Sequence, residues 1–189
     1  MNPPPAPPPH WFLGYNWLIE SNSINRLLSS VGLAVEKGAT EITLCLNSSG
    51  GTTDQAFYAY EILRAMPVML TTFNLGYVQS AAMLLFMAGA KRLAVPHAQF
   101  LMHATTRGVT VPMDDHDLTF GSASVRSDDE RSASIIAERT GKDIATVRKW
   151  FSGQKLRSTE FAHANNIITV APVPFQLPAG SQFVQLAAN

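Results

Sequence analysis

Ser80 stands where a glycine-containing turn, Gly76-Tyr77-Val78-Gln79, meets an apolar stretch at residues 81–88 that reads as a helix. A serine in that place is most often an N-cap, its oxygen accepting from the unpaired N–H groups of the first turn. The same place also sets a hydroxyl at the positive end of a helix dipole, beside an Ala81 N–H able to stabilise an oxyanion. A nucleophilic hydroxyl needs a base. His103 closes the apolar run Phe100-Leu101-Met102; it has an ordinary structural reading, and a second one as a neutral imidazole that takes a hydroxyl proton near neutral pH. Gly50-Gly51 also ends a strand and precedes a helix. Alone the pair marks a tight turn. If the two crossovers are neighbours, its N–H groups line the same side of the sheet as Ser80. No lysine follows these glycines and the longer spacing of phosphate loops is missing, so no nucleotide site is expected. His10, His97, His116 and His163 lack metal-ligand spacing and partner cysteines or paired carboxylates, so no metal is expected either.

The bulk numbers narrow the function classes. Fourteen basic residues balance fourteen acidic ones, which leaves no electrostatic footprint for nucleic acid or an anionic membrane. A length of 189 residues suits one domain with its own core. At 46% hydrophobic and 15% charged, the chain reads as soluble and globular, with apolar surface to spare for self-association. Cys45, the sole cysteine, lies in the apolar run Ile42-Thr43-Leu44-Cys45-Leu46. It reads as a buried, inert thiol, in keeping with a reducing cytoplasm. The N-terminus has neither the basic start nor the apolar stretch of a secretory signal. The longest apolar stretch, near residues 81–90, falls short of the about 20 residues needed to cross a bilayer.

The elements that must position these groups alternate strand and helix. Six prolines in residues 1–9 predict an extended or disordered arm over residues 1–10, with the domain at 11–171 and an irregular, locally packed tail at 172–189. Ser23 is read as the cap of a helix carrying Ile24, Leu27, Leu28, Val31 and Val35, ended near Gly38. A buried strand follows at 42–46, then a helix capped by Thr52 or Thr53 with Phe57, Tyr60 and Leu63 on one side. Strands are expected at 68–73, 92–95 and 99–102, a weak polar helix over 114–139, a helix over 143–151, and another capped by Ser158. Such crossovers favour a mostly parallel sheet.

Taken in order, Ile42-Thr43-Leu44-Cys45-Leu46-Asn47-Ser48-Ser49-Gly50-Gly51, Gly76-Tyr77-Val78-Gln79-Ser80-Ala81-Ala82, Ala88-Gly89-Ala90-Lys91 and Pro96-His97-Ala98-Gln99-Phe100-Leu101-Met102-His103 resemble the proteolytic subunits of the Clp protease family over residues 11–170. The resemblance implies an α/β fold of repeated β-β-α units, with a mostly parallel sheet flanked by helices and a projecting handle helix. It implies a serine endopeptidase without cofactor, with Ser80 as nucleophile, His103 as base, and the Gly51 and Ala81 N–H groups as oxyanion hole. Substrate would lie as an extended strand between Gly50, Thr52 and Thr53 on one side and residues 104–108, including Ala104 and Thr105, on the other. It further implies cytoplasmic homo-oligomeric rings of seven, two of them stacked, enclosing the sites, with unfolded proteins as substrate and a Clp-type unfoldase ATPase as partner.

The sequence departs from the family pattern at the triad acid, where Gln154 stands in place of aspartate. A glutamine carbonyl can orient an imidazole but brings no negative charge. Asp143 and Glu160 are the carboxylates near it in sequence. Ser49 replaces a usual proline, and Gly121 with several serines weakens the handle helix. Two other readings follow: a degenerate subunit that assembles without cleaving, and a crotonase-like enzyme in which two backbone N–H groups hold a thioester enolate.

Overall fold

The structure, a computed structural model, describes residues 10–106 and 114–186. Seven strands form one sheet: β1 (His10–Tyr15), β2 (Glu41–Ser48), β3 (Met69–Gln79), β4 (Lys91–Ala94), β5 (Gln99–Leu101), β6 (Leu156–Arg157) and β7 (Gln182–Gln185). Their order is β6-β5-β3-β2-β1-β7, with β4 also on β3. Every pairing is parallel except β5 with β6. The fold is therefore the expected mostly parallel sheet, with helices α1 (Ser21–Glu36), α2 (Thr53–Ala65), α3 (Ala82–Met87), α4 (Asp115–Thr140), α5 (Ile144–Ser152) and α6 (Thr159–Ala164) packed around it.

Side chains alternate across a strand. Leu13, Ile42, Leu44 and Leu46 face a core shared with Ile24, Leu27 and Val31 of α1 and Phe57 and Leu63 of α2. Helix α3 is apolar all round and all six of its residues are buried, which holds the Ser80 end of that helix rigidly against the sheet. On the other face, Phe12 and Phe73 meet Phe175 edge-on, with ring centroids 6.2 and 5.4 Å away. Cys45 pairs in register with Gly14 and Phe73 on that face. Burial pushes its thiol up to about 12. The native thiol is therefore neutral and shielded, and modification by iodoacetamide at pH 8 should appear only under denaturant. Because the folded thiol stays protonated where the unfolded one ionises, its burial costs stability as pH rises above about 9; a native thiol alkylated at the free-cysteine rate would contradict this.

Several elements differ from the sequence expectation. Ser23 is not the N-cap of α1. Glu20 is, and Ser23 completes a capping box from the third helical position, its Oγ accepting from the Glu20 N–H at 3.1 Å. Gly76-Tyr77-Val78-Gln79 is not a turn but the second half of β3, because β2 pairs as far as Ser48 with Val78 and β5 pairs with Tyr77 to Gln79. The tail is not wholly irregular: Val173 donates to the Ala94 carbonyl at 3.0 Å, the chain crosses under Phe175, and residues 182–185 join β1 as β7. His10 belongs to β1, while residues 1–9 lie outside those described.

Helix α4 runs unbroken through Gly121. Asp114 caps it, accepting from the Asp117 N–H, and Gly141 ends it in the left-handed conformation. Its C-terminal half buries Ala133 and Ile136, while Leu118 and Phe120 at its start are 54% and 66% exposed. Arg92 fixes the far end of the domain: its buried guanidinium donates to the carbonyls of Ile167, Gly89, Arg139 and Asn166. Burial, with Arg139 adding to it, lowers its pKa to about 10, so it is charged at neutral pH.

Candidate active site

Strands β3 and β5 end side by side, Gln79 opposite Leu101. The next residue on the first is Ser80, whose N–H donates to the Leu101 carbonyl at 2.8 Å. Two residues past Leu101 is His103. The sheet thus delivers both side chains to one edge, and both line the same cavity. Ser80 sits at φ 55°, a left-handed conformation that serine rarely adopts. Such strain at a strand-to-helix turn lifts a hydroxyl out of the sheet and persists only where packing enforces it; here α3 does so.

The Gly50-Gly51 turn lies directly against Ser80. A Cβ built on Gly50 would stand 2.7 Å from Ser80 Cβ and 3.1 Å from the Ala81 nitrogen, and Gly50 has φ 99°. Gly51, at φ 146°, forms a parallel bridge with Ile19: the Ile19 N–H donates to the Gly50 carbonyl at 2.7 Å, and the Thr52 N–H donates to the Ile19 carbonyl at 2.8 Å. In a parallel bridge the central residue's own N–H faces the other way, which here is the cavity. Among the described residues, neither the Gly51 nor the Ala81 N–H donates a hydrogen bond. Two free backbone donors beside a strained serine are the arrangement that stabilises an acyl-transfer oxyanion.

Thr52, Thr53 and Thr105 line a groove that leads to this cavity, with Ser124 and Val125 of α4 on its wall. Behind Ser80 the cavity has an apolar wall of Met83, Leu84, Met102, Ile136 and Phe151, and Ser132 and the threonines Thr53, Thr105 and Thr106 make the rest of its lining polar. Of the expected segment 104–108, residues 107 and 108 lie outside those described.

No hydrogen bond joins Ser80 to His103 in this conformer, and none joins Gln154 to His103. The His103 Nδ1 lies instead 2.7 Å from the Ala104 carbonyl oxygen. Gln154 lies in the turn between α5 and β6 at φ 39°, and the β5–β6 ladder, which ends at the Leu101–Leu156 pair, stops short of both Gln154 and His103. The two carboxylates near it in sequence have other hydrogen-bond partners. Asp143 caps α5, accepting from the Thr146 N–H at 2.8 Å and its hydroxyl at 2.6 Å, which holds its carboxyl low. Glu160 sits in the first turn of α6, its pKa lowered by a hydrogen bond from Ser158.

The contact that sequence reasoning missed is Asp129 of α4, which accepts from the Thr105 N–H at 2.7 Å. The expected absence of paired carboxylates near a histidine also needs correction. Asp114, His116 and Asp117 come within 4.8 Å of one another, all exposed. The capping of α4 accounts for both carboxylates, so the group is no site in itself.

The sequence model of the Clp protease family matches residues 16–168, which include the serine, the histidine and both glycines. The chain belongs to the Clp protease family. It is 26% identical over 172 residues to "ATP-dependent Clp protease proteolytic subunit 2" of Corynebacterium glutamicum, covering 86% of this chain and 83% of that protein. It is 30% identical over 171 residues to proteolytic subunit 1 of Mycobacterium leprae, covering 86% and 82%. Proteolytic subunit 1 of Corynebacterium jeikeium is 27% identical over 169 residues, covering 85% and 87%. Among the described residues of this Clp-family chain, no helix is long and apolar enough to cross a membrane.

Proposed function

We propose that this Clp-family chain is a serine-type endopeptidase in which Ser80 Oγ attacks the substrate carbonyl. His103 Nε2 takes the serine proton and returns it to the leaving amine. The Gly51 and Ala81 N–H groups hold the oxyanion, and water then hydrolyses the acyl-enzyme by the same route. The observation that carries this reading is the convergence of a strained serine, a histidine and two unpartnered backbone donors at the ends of adjoining strands. Substrate lies extended between the segments at Thr52-Thr53 and Ala104-Thr105, with main-chain pairing as its chief hold. The apolar wall of Met83, Leu84 and Phe151 favours an apolar side chain next to the scissile bond.

The family resemblance extends the reading to assembly: rings of seven subunits, two stacked through α4, in the cytoplasm, working on unfolded protein with a Clp-type ATPase. The exposed Leu118 and Phe120 at the start of α4 supply apolar surface for such a contact. A second reading, a subunit that assembles without cleaving, is favoured by the missing Ser80–His103 hydrogen bond and the uncharged Gln154.

Reaction with a fluorophosphonate probe separates the two. The peptidase reading expects stoichiometric adduct at Ser80 by peptide mapping, and none in Ser80→Ala. Folded, oligomeric protein that takes no label would assign the chain to the non-cleaving class.

A further inference from the structure

The Ala104 carbonyl that meets His103 Nδ1 is an acceptor, so the ring nitrogen facing it carries a proton, and in the neutral ring the lone pair is then on Nε2. That carbonyl shares one peptide group with the Thr105 N–H, which donates to Asp129 Oδ1 at 2.7 Å. A single planar amide therefore stands between imidazole and carboxylate, its oxygen toward one and its N–H toward the other. Among the described residues, no Lys, Arg or His lies within ion-pairing distance of Asp129, so its charge is not cancelled locally. A negative charge at the N–H end draws electron density toward the Ala104 oxygen and strengthens it as an acceptor, since linked hydrogen bonds polarise one another.

We propose that Asp129 is the third member of this protein's catalytic group, acting on His103 through the Ala104–Thr105 peptide in place of the carboxylate that position 154 lacks. This rests on the Ser80–His103 reading of the site. Asp129 is a positioning residue: it holds the segment that carries the Ala104 carbonyl, fixes the Nδ1–H tautomer, and steadies the imidazolium that forms when Nε2 accepts the serine proton. The proton travels only between Ser80, His103 Nε2 and the leaving amine, and none passes to Asp129. The relay also joins the handle helix to the active site, because Asp129 lies midway along α4.

The test is NMR of the full-length protein, following the downfield Nδ1–H resonance of His103, identified by its loss in His103→Gln. Asp129→Asn keeps an acceptor and removes the charge. It is expected to shift this resonance upfield, hasten its exchange, and slow fluorophosphonate labelling of Ser80 about tenfold. Asp129→Glu should recover part of the rate, and Glu130→Gln, one residue on, should change neither reading. A resonance unmoved in Asp129→Asn, or one that responds to Gln154→Ala instead, overturns the relay. Because the resonance is read without turnover, a His103 signal that answers Asp129→Asn while Ser80 never takes label keeps the relay and sinks the peptidase reading alone.

Discussion

Gly51→Ala is expected to abolish fluorophosphonate labelling of Ser80 and to cost about 3 kcal/mol or more of stability. The added Cβ would run into the Ile19 carbonyl oxygen, and the Ile19 nitrogen lies only 2.8 Å away. Both are backbone atoms, so no rotamer change relieves the clash. The φ of 146° adds strain for any residue with a Cβ. Relaxation would have to break the Ile19–Gly51 bridge, which is what aims the Gly51 N–H into the cavity. Stability and labelling should therefore fall together. The control is Gly32→Ala in the middle of α1, where a Cβ meets nothing within 4 Å; it should gain up to about 1 kcal/mol from helix propensity and label normally. Urea denaturation and labelling kinetics measure both. A Gly51→Ala protein that labels within twofold of the parent would remove Gly51 from the oxyanion hole.

Gln154→Asp is expected to raise the labelling rate of Ser80 by about 10². Position 154 is where the family pattern has its acid, it immediately precedes β6, the partner of the strand that leads to His103, and the current side chain brings no charge there. A carboxylate there would stabilise the imidazolium directly, in addition to whatever Asp129 supplies through the peptide group. The gain should be smaller than the 10⁴ that separates aspartate from asparagine in the trypsin triad. There the substitution also gives the wrong tautomer, whereas here the Ala104 carbonyl already fixes it. The same substitution also tests the degenerate-subunit reading, since a site kept only as scaffold should not respond to one restored charge. A Gln154→Asp rate equal to the parent's would mean that position 154 does not reach His103 in solution.

Ser80, His103 and the paired glycines were legible in the sequence because each sits at a punctuation point, where an apolar run stops and turn residues or a helix begin. That local pattern also fixed the strand–helix alternation. Gly76 misled for the same reason: a glycine suggests a turn, but cross-strand pairing on both sides carried the strand through it. Tertiary pairing likewise made a strand of residues 182–185, whose four residues are too few for periodicity to register. Asp129 left no trace, since its partner is a backbone N–H 24 residues away and nothing in a polar helix distinguishes that carboxylate from Asp128 or Glu130. Position 154 could be matched to the family's acid by order alone, because the β5–β6 ladder ends at Leu156 and carries no pairing as far as the histidine.

Strand β7 lies along β1 at the end of the sheet. Its partner β1 lies far before it in the chain, and the Gln185 side chain donates to the Gly14 carbonyl across 171 residues of sequence at 3.1 Å. Without residues 182–185, β1 presents a bare edge with its ladder groups unpaired, and without Phe175 neither Phe12 nor Phe73 has its edge-on partner. β1 is thus an inner strand only because β7 lies on it, and a variant lacking residues 178–189 would keep Ser80, His103 and both glycines yet leave the longer, more apolar β1 as the edge on which other chains could add.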